Sequence, residues 1–340
     1  MKFTRDELIE RHRLSSRQAD DFLGNDRSAP DRVSQMKKLQ QLGYFLKLTD
    51  EMKEEGLNGI LLKGPALSQK IYGDPFYRTS HDFDLLFDAK DLLRAIQFFE
   101  SRGFEGVKFK WPESEKNQVR AKELINQYFI FQPKQSVSIE IHWKLFDRRF
   151  ADPSVAEKLD WENTTTVEIN GHSLKTLDGE FELLYLVIHG SLHAWFRLKW
   201  LVDIHEILKR RTIDEERFKA LAEELGAVRF VSVCNGVLSY MYPEGERLPC
   251  DVNTKPSLVN EAIFQLKRRG NDPFDTLDNT VRQVRYQLAL SAKWQYKSDI
   301  LRTLLFNKSD LEIGWLPSGR FSLFFFRPFT FVMRKIGWIK

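Results

Sequence analysis

Apolar residues recur at helical spacing through Leu8, Leu14, Phe22, Met36, Leu39, Leu42 and Leu46, which predicts helix over residues 1 to about 55, broken near Asn25 to Pro30. Asn58 to Leu62 reads as a short apolar strand, followed by a Lys-Gly turn and a helix from Pro65 to Tyr72, with proline at the first helical position where its missing N–H costs nothing. Asp82 to Phe87 is a second strand, and Asp91 to Arg102 a helix that Gly103 ends. Tyr128 to Gln132 and Val137 to Trp143 form further strands around a turn at Pro133 to Ser136. Thr164 to Lys175 reads as a hairpin turning at Asn170-Gly171, a pair that tolerates the positive φ angles of tight hairpin turns.

From Asp178 onward the period is helical. A long helix with one apolar face runs from Phe181 to Lys209, and others follow at about 215–225, 228–241, 256–268 and 277–306. This order predicts an α/β (α+β) fold: a small mixed β-sheet with flanking helices, followed by a C-terminal helical domain. The expected divisions are an N-terminal helical segment at 1–45, a core at 46–176, a helical domain at 177–313 and a basic aromatic tail at 314–340.

Composition changes this picture little. The 340 residues are 42% hydrophobic, ordinary for a soluble protein, and the net charge of +4 permits an anionic substrate without demanding nucleic acid. Cys234 and Cys250 lack metal-type spacing and point to a reducing compartment, so a cytoplasmic protein is expected. The N-terminus is charged, without the apolar run of a signal peptide, and no stretch is long and apolar enough to span a bilayer.

The candidate chemistry is concentrated between Leu61 and Phe87, LLKGPALSQKIYGDPFYRTSHDFDLLF. Asp82 and Asp84 alternate with apolar residues on a strand, so they share a face. Two carboxylates so placed repel unless a cation sits between them, and a hard divalent ion such as Mg²⁺, which usually brings a phosphate with it, resolves the conflict. Glu140 and His142 alternate with Ile139 and Ile141 and share a face in the same way. His142 could carry a proton or orient a carboxylate by hydrogen bonding. Lys63 and Arg78 are cations beside the carboxylates. Arg can grip phosphate with two N–H groups and Lys acts as a point charge, while an exposed turn lysine and an Arg78 pair to Asp74 or Asp82 are the alternatives. Gly64 lets the backbone approach a ligand closely.

The sequence Lys63, Gly64, Pro65, Ala66, Leu67, then Tyr72, Gly73, Asp74, Arg78, Asp82 and Asp84 resembles the nucleotidyltransferase superfamily typified by DNA polymerase beta. Within it, the pattern is similar to a group of uncharacterised nucleotidyltransferases found near bacterial peptide and polysaccharide biosynthesis genes. The run from His189 through Leu208 matches the same group. The toxin nucleotidyltransferases of abortive-infection systems look similar over the first stretch. Many superfamily members carry Gly-Ser at the turn, where this chain has Lys63-Gly64.

The resemblance implies a metal-dependent transfer of a nucleoside monophosphate from an NTP to a hydroxyl acceptor, with release of pyrophosphate. It implies two Mg²⁺ ions on Asp82, Asp84 and Glu140, with Glu140 as the third carboxylate from a neighbouring strand. Nucleotide contacts are implied for Lys63, Gly64, Arg78, His189, His193, Arg197 and Lys199, the last four also readable as braces between domains. The acceptor is a small molecule, a peptide or RNA. A noncatalytic nucleotide-binding scaffold of the same fold, or a toxin acting on tRNA, are the other readings. His189 and His193 sit four apart on one helix face, yet without the glutamate of the zinc-protease motif. The tail at 314–340 mixes eight Phe or Trp residues with Arg and Lys and has no acid, which suits packing on the helical domain, weak membrane-surface contact or a partner surface.

Overall fold

The structure is a computed structural model that describes residues 3–26, 32–107, 109–146, 153–250, 252–270 and 274–305, and Met333. After a single π-helical turn at Glu7–Arg11 come α1 (Ser16–Leu23), α2 (Arg32–Glu54), β1 (Ile60–Leu61), α3 (Pro65–Tyr72) and β2 (Phe83–Leu86). Then follow α4 (Leu92–Glu100), β3 (Glu105–Gly106), α5 (Glu115–Leu124), β4 (Gln127–Gln132), β5 (Val137–His142), α6 (Pro153–Glu162), β6 (Thr164–Ile169) and β7 (His172–Leu177). The remainder is helical: α7 (Gly179–Leu192), α8 (Leu198–Arg210), α9 (Glu215–Glu224), α10 (Val228–Met241), α11 (Pro256–Lys267), α12 (Leu277–Leu290) and α13 (Trp294–Leu305). The fold is mixed α/β. No helix among the described residues is long and apolar enough to cross a membrane.

The described residues group into two compact units that interleave along the chain. The first draws on 1–40, 60–81 and 150–293, the second on 41–59, 82–149 and residues from 294 onward.

In the second unit the strand order is β3-β4-β5-β2. β2 and β5 run parallel, and β4 is antiparallel to both β5 and β3. The two faces of this sheet differ. Phe83 pairs in register with Ile139 and Leu85 with Ile141. On that face Phe83 stacks on Phe45 of α2, with ring centroids 3.8 Å apart and planes within 6°. The opposite face carries the register pairs Asp84–Glu140 and Leu86–His142. The pleat therefore sends the apolar set toward α2 and gathers the polar set behind it. Arg102 ties α4 to α2 through Glu51 and Glu55, at 2.7 and 2.8 Å.

In the first unit β1, β7 and β6 are neighbours in that order, β1 parallel to β7 and β7 antiparallel to β6. The β6–β7 hairpin turns at Asn170 and Gly171, with φ of 51° and 81°, the positive angles expected of that pair. α7 is buried continuously from Phe181 to Ile188 and packs against α8, α9 and α10. A helix buried on all sides has a central place in a core, which explains its unbroken apolar run.

Three expectations need correction here. The predicted helix from Phe181 to Lys209 is two helices, because the chain turns after His193, where Ala194 and Trp195 take φ of 48° and 55°. Neither is a residue that favours this region. Tertiary packing holds it: Trp195 is fully buried, and a Cβ built on Gly190 would lie 2.4 Å from its ring. The predicted helix at 277–306 is likewise divided, at Ser291 to Lys293, into α12 and α13. α5 and α6 were not anticipated. α5 is strongly polar in composition, so hydrophobic spacing gave it no signal. The tail reading at 314–340 lies outside the described residues apart from Met333.

Candidate functional site

β2 and β5 build the polar cluster of the second unit. Asp84 and Glu140 are register partners on adjacent parallel strands, so their Cα atoms lie side by side and their side chains project from one face. His142, two residues beyond Glu140, projects from the same face. One ligand-type atom from each of Asp84, Glu140 and His142 falls within 4.8 Å of the others, and all three residues are buried. The His142 Nε2 lies 3.4 Å from Asp84 Oδ1 and 3.6 Å from Glu140 Oε1. Neither His142 ring nitrogen makes a hydrogen bond. Asp82 stands one residue before β2, half-buried, and is not part of this cluster.

Carboxylate oxygens and an imidazole nitrogen are metal donors. A buried imidazole without a hydrogen-bond partner, facing two carboxylates, is a donor set of the right size and chemistry for a divalent ion. The residues present therefore fit a metal.

The remaining candidates lie in the first unit. Gly64 caps the N-terminus of α3 with φ 71° and ψ −134°, a backbone region essentially closed to residues with a side chain. The Lys-Gly turn therefore requires its glycine. Lys63 is half-buried, with its Nζ 5.8 Å from the centre of the Tyr185 ring. His189 ends α7 and His193 caps it. Their rings meet edge to face at 4.8 Å, and both touch Trp200 of α8, His193 stacked at 5.2 Å and His189 edge-on at 5.4 Å. His189 is half-buried and His193 exposed. Arg197 is the N-cap residue of α8, and the Lys199 ammonium donates to the Thr79 carbonyl.

Arg78 is engaged within its own unit. It is 4% exposed, and its Nε donates to both carboxylate oxygens of Asp203, at 2.9 and 2.8 Å. Its backbone N–H donates to Ser68 Oγ, which in turn donates to the Asp74 carbonyl. The sequence offered Asp74 and Asp82 as ionic partners for Arg78. Asp74 instead takes the guanidinium of Arg17, and Asp203, 125 positions away, takes Arg78.

The N-terminal segment adds residues that the sequence did not single out. Arg11 is buried and donates to the carbonyls of Phe196 (2.9 Å) and Gln265 (2.7 Å). His12 Nδ1 accepts the N–H of Leu198, the first residue of α8. Burial, with Arg11 beside it, lowers the His12 pKa to about 3, so the ring is neutral and able to accept. Ser15 donates to the Tyr77 carbonyl. This segment thus holds both the turn between α7 and α8 and the loop that carries Arg78. No local pattern announces such contacts.

Comparison with known proteins gives three results. The family described as uncharacterised nucleotidyltransferase matches residues 29–242. No curated protein matches the chain. Among solved structures, the crystal structure of an antigenic nucleotidyltransferase-like protein from Paracoccidioides brasiliensis is similar at 18% identity, covering 65% of this chain and 97% of its own, with a TM-score of 0.38.

Proposed function

Because the chain belongs to the uncharacterised nucleotidyltransferase family, we propose that it transfers a nucleoside monophosphate from an NTP to an acceptor hydroxyl, releasing pyrophosphate. The observation that carries this reading is the buried cluster of Asp84, Glu140 and His142 at paired positions on β2 and β5. Asp84 and Glu140 would hold the divalent ion, with Asp82 contributing from the residue before the strand. When bound, such an ion lowers the pKa of an acceptor hydroxyl and stabilises charge on the leaving pyrophosphate. Asp84 and Glu140 would fix its position, because both sit on a sheet braced from behind by the Phe45–Phe83 stack.

Lys63 and Gly64 are assigned to the nucleotide phosphates on the sequence motif. The assignment is consistent with a backbone at Gly64 that no side chain encumbers. His189, His193, Arg197 and Lys199 are proposed to contact nucleotide or acceptor, with the exposed His193 ring, stacked on the buried Trp200, offering an aromatic contact. Arg78 is assigned a different role from the phosphate grip: it braces the loop between α3 and β2 through Asp203. A protein acting in the cytoplasm, in a peptide or polysaccharide pathway, fits the resemblance.

The test is incubation of purified protein with each of the four α-labelled nucleoside triphosphates, a divalent ion and host extract. Pyrophosphate release together with label on a small molecule, peptide or RNA supports the reading. Absence of both with every nucleotide, while nucleotide still binds, would favour the noncatalytic scaffold.

A further inference from the structure

We infer that His142 is a direct metal ligand, and that the site selects a first-row transition-metal dication over Mg²⁺. The inference deepens the proposed function and rests on its placement of a metal at Asp84 and Glu140.

The imidazole is the unusual feature. It is 5% exposed, so water does not satisfy it, and neither ring nitrogen has a hydrogen-bond partner. A buried polar group in that state costs about 1–3 kcal/mol unless something compensates it. One ring nitrogen, Nε2, is aimed at both carboxylates at nearly equal distances, 3.4 and 3.6 Å.

Two arrangements could explain an imidazole so placed. In the first it is a charged imidazolium bridging two carboxylates. A charge-assisted N–H···O bond is short, about 2.7–2.9 Å, and close to linear. Both observed separations are longer, and neither meets hydrogen-bond geometry. In the second, the nitrogen lone pair faces an ion that the two oxygens also face. Donor atoms about 2.1 Å from one ion stand roughly 3.0–3.5 Å apart, which the observed spacing resembles. The second arrangement accounts together for both Nε2–carboxylate distances and for the absent hydrogen bond at Nε2.

The donor set then decides the metal. Mg²⁺ demands oxygen ligands in near-octahedral array and parts with water reluctantly. Imidazole with carboxylates suits Mn²⁺, Co²⁺ or Zn²⁺. The register contributes directly. His142 shares a face with Glu140 because they are two apart on β5, and Glu140 faces Asp84 because β2 and β5 are parallel and in step. A one-residue slip of β5 would remove both ligands at once.

The experiment uses the full chain stripped of metal by chelation, with Mn²⁺ as probe and electron paramagnetic resonance as readout. The expected result is a bound Mn²⁺ signal that a large excess of Mg²⁺ fails to displace, and a nitrogen coupling in the electron spin echo of the wild-type protein. Because that coupling needs no mutation, folding defects cannot obscure it. His142→Ala should weaken Mn²⁺ binding at least about tenfold and Mg²⁺ binding much less. Bound Mn²⁺ without nitrogen coupling would overturn the inference, as would Mg²⁺ displacing it on equal terms. Asp84→Asn and Glu140→Gln separate the two levels of argument. If both weaken metal binding while His142→Ala does not, only the His142 assignment fails. If none of the three changes metal binding, the metal-dependent reading of the protein fails with it.

Discussion

Replacing Asp203 with alanine isolates the role of Arg78. The Arg78 guanidinium and Asp203 carboxylate are 3% and 0% exposed, and one Nε–H reaches both oxygens within 2.9 Å. Asp203→Ala leaves a buried cation without its counter-charge, which typically costs about 3–5 kcal/mol. A surface pair on the same unit supplies the internal scale: Arg282 and Asp278 are 41% and 76% exposed, and such pairs contribute about 0–1 kcal/mol. Urea denaturation followed by tryptophan fluorescence should therefore show Asp203→Ala losing several kcal/mol and Asp278→Ala almost nothing. The double variant Arg78→Met, Asp203→Leu should recover most of the loss, because removing both charges abolishes the penalty that one leaves behind. Its residual activity then reports whether the guanidinium touches substrate. Equal losses for Asp203→Ala and Asp278→Ala, or a double variant no more stable than Asp203→Ala, would refute the view of Arg78 as a buried brace.

Asp84→Asn should abolish transfer while the fold persists, and circular dichroism with a pyrophosphate assay reads both; wild-type turnover in this variant would remove Asp84 from the site. Lys63→Ala should weaken nucleotide binding in calorimetry without weakening metal binding, and unchanged nucleotide affinity would return Lys63 to an ordinary turn. Gly190→Ala places a methyl 2.4 Å from the buried Trp195 ring and should cost about 1–3 kcal/mol in urea midpoint analysis. His12 is held neutral with its pKa lowered to about 3, so the unfolded chain takes up a proton near pH 6.5 that the folded chain refuses. Stability from this residue is present above pH 6.5 and is lost as pH falls toward 3, at about 1.4 kcal/mol per unit. His12→Asn keeps an acceptor for Leu198 but cannot titrate, so its deficit relative to wild type should shrink between pH 6.5 and 5. A deficit that stays constant with pH would contradict the buried-neutral assignment.

Much of the stretch from residue 60 to 177 was legible because its signals are local. Alternation along Ser138 to His142 placed Glu140 and His142 on one face, and the pleat of β5 does the same. Pro65 and Gly64 marked the start of α3, and Asn170-Gly171 marked the β6–β7 turn. What stayed hidden depends on residues far apart in the chain. The positive φ of Ala194 and Trp195 has no composition cue, since the turn is held by Gly190, Arg11 and His12. Asp203 as the partner of Arg78 is similarly invisible, because nothing in either helix or loop specifies a contact 125 residues away. Helical period could not locate the break between α7 and α8, because apolar residues continue through Trp195 and Phe196 into the buried face of α8.

The N-terminal segment has a consequence in time. Arg11 leaves the ribosome well before its acceptors at Phe196 and Gln265, which come 185 and 254 positions later. At the usual elongation rate of about 5–20 residues per second, the gap to Gln265 amounts to roughly 13–50 s. Until then Leu8, Leu14 and Ala19, which end fully or almost fully buried, sit in a segment docked in part, through Ser15, Arg17 and Gln18 on Tyr77, Asp74 and Tyr72. The segment is thus made early and completes its contacts late, once α11 has emerged.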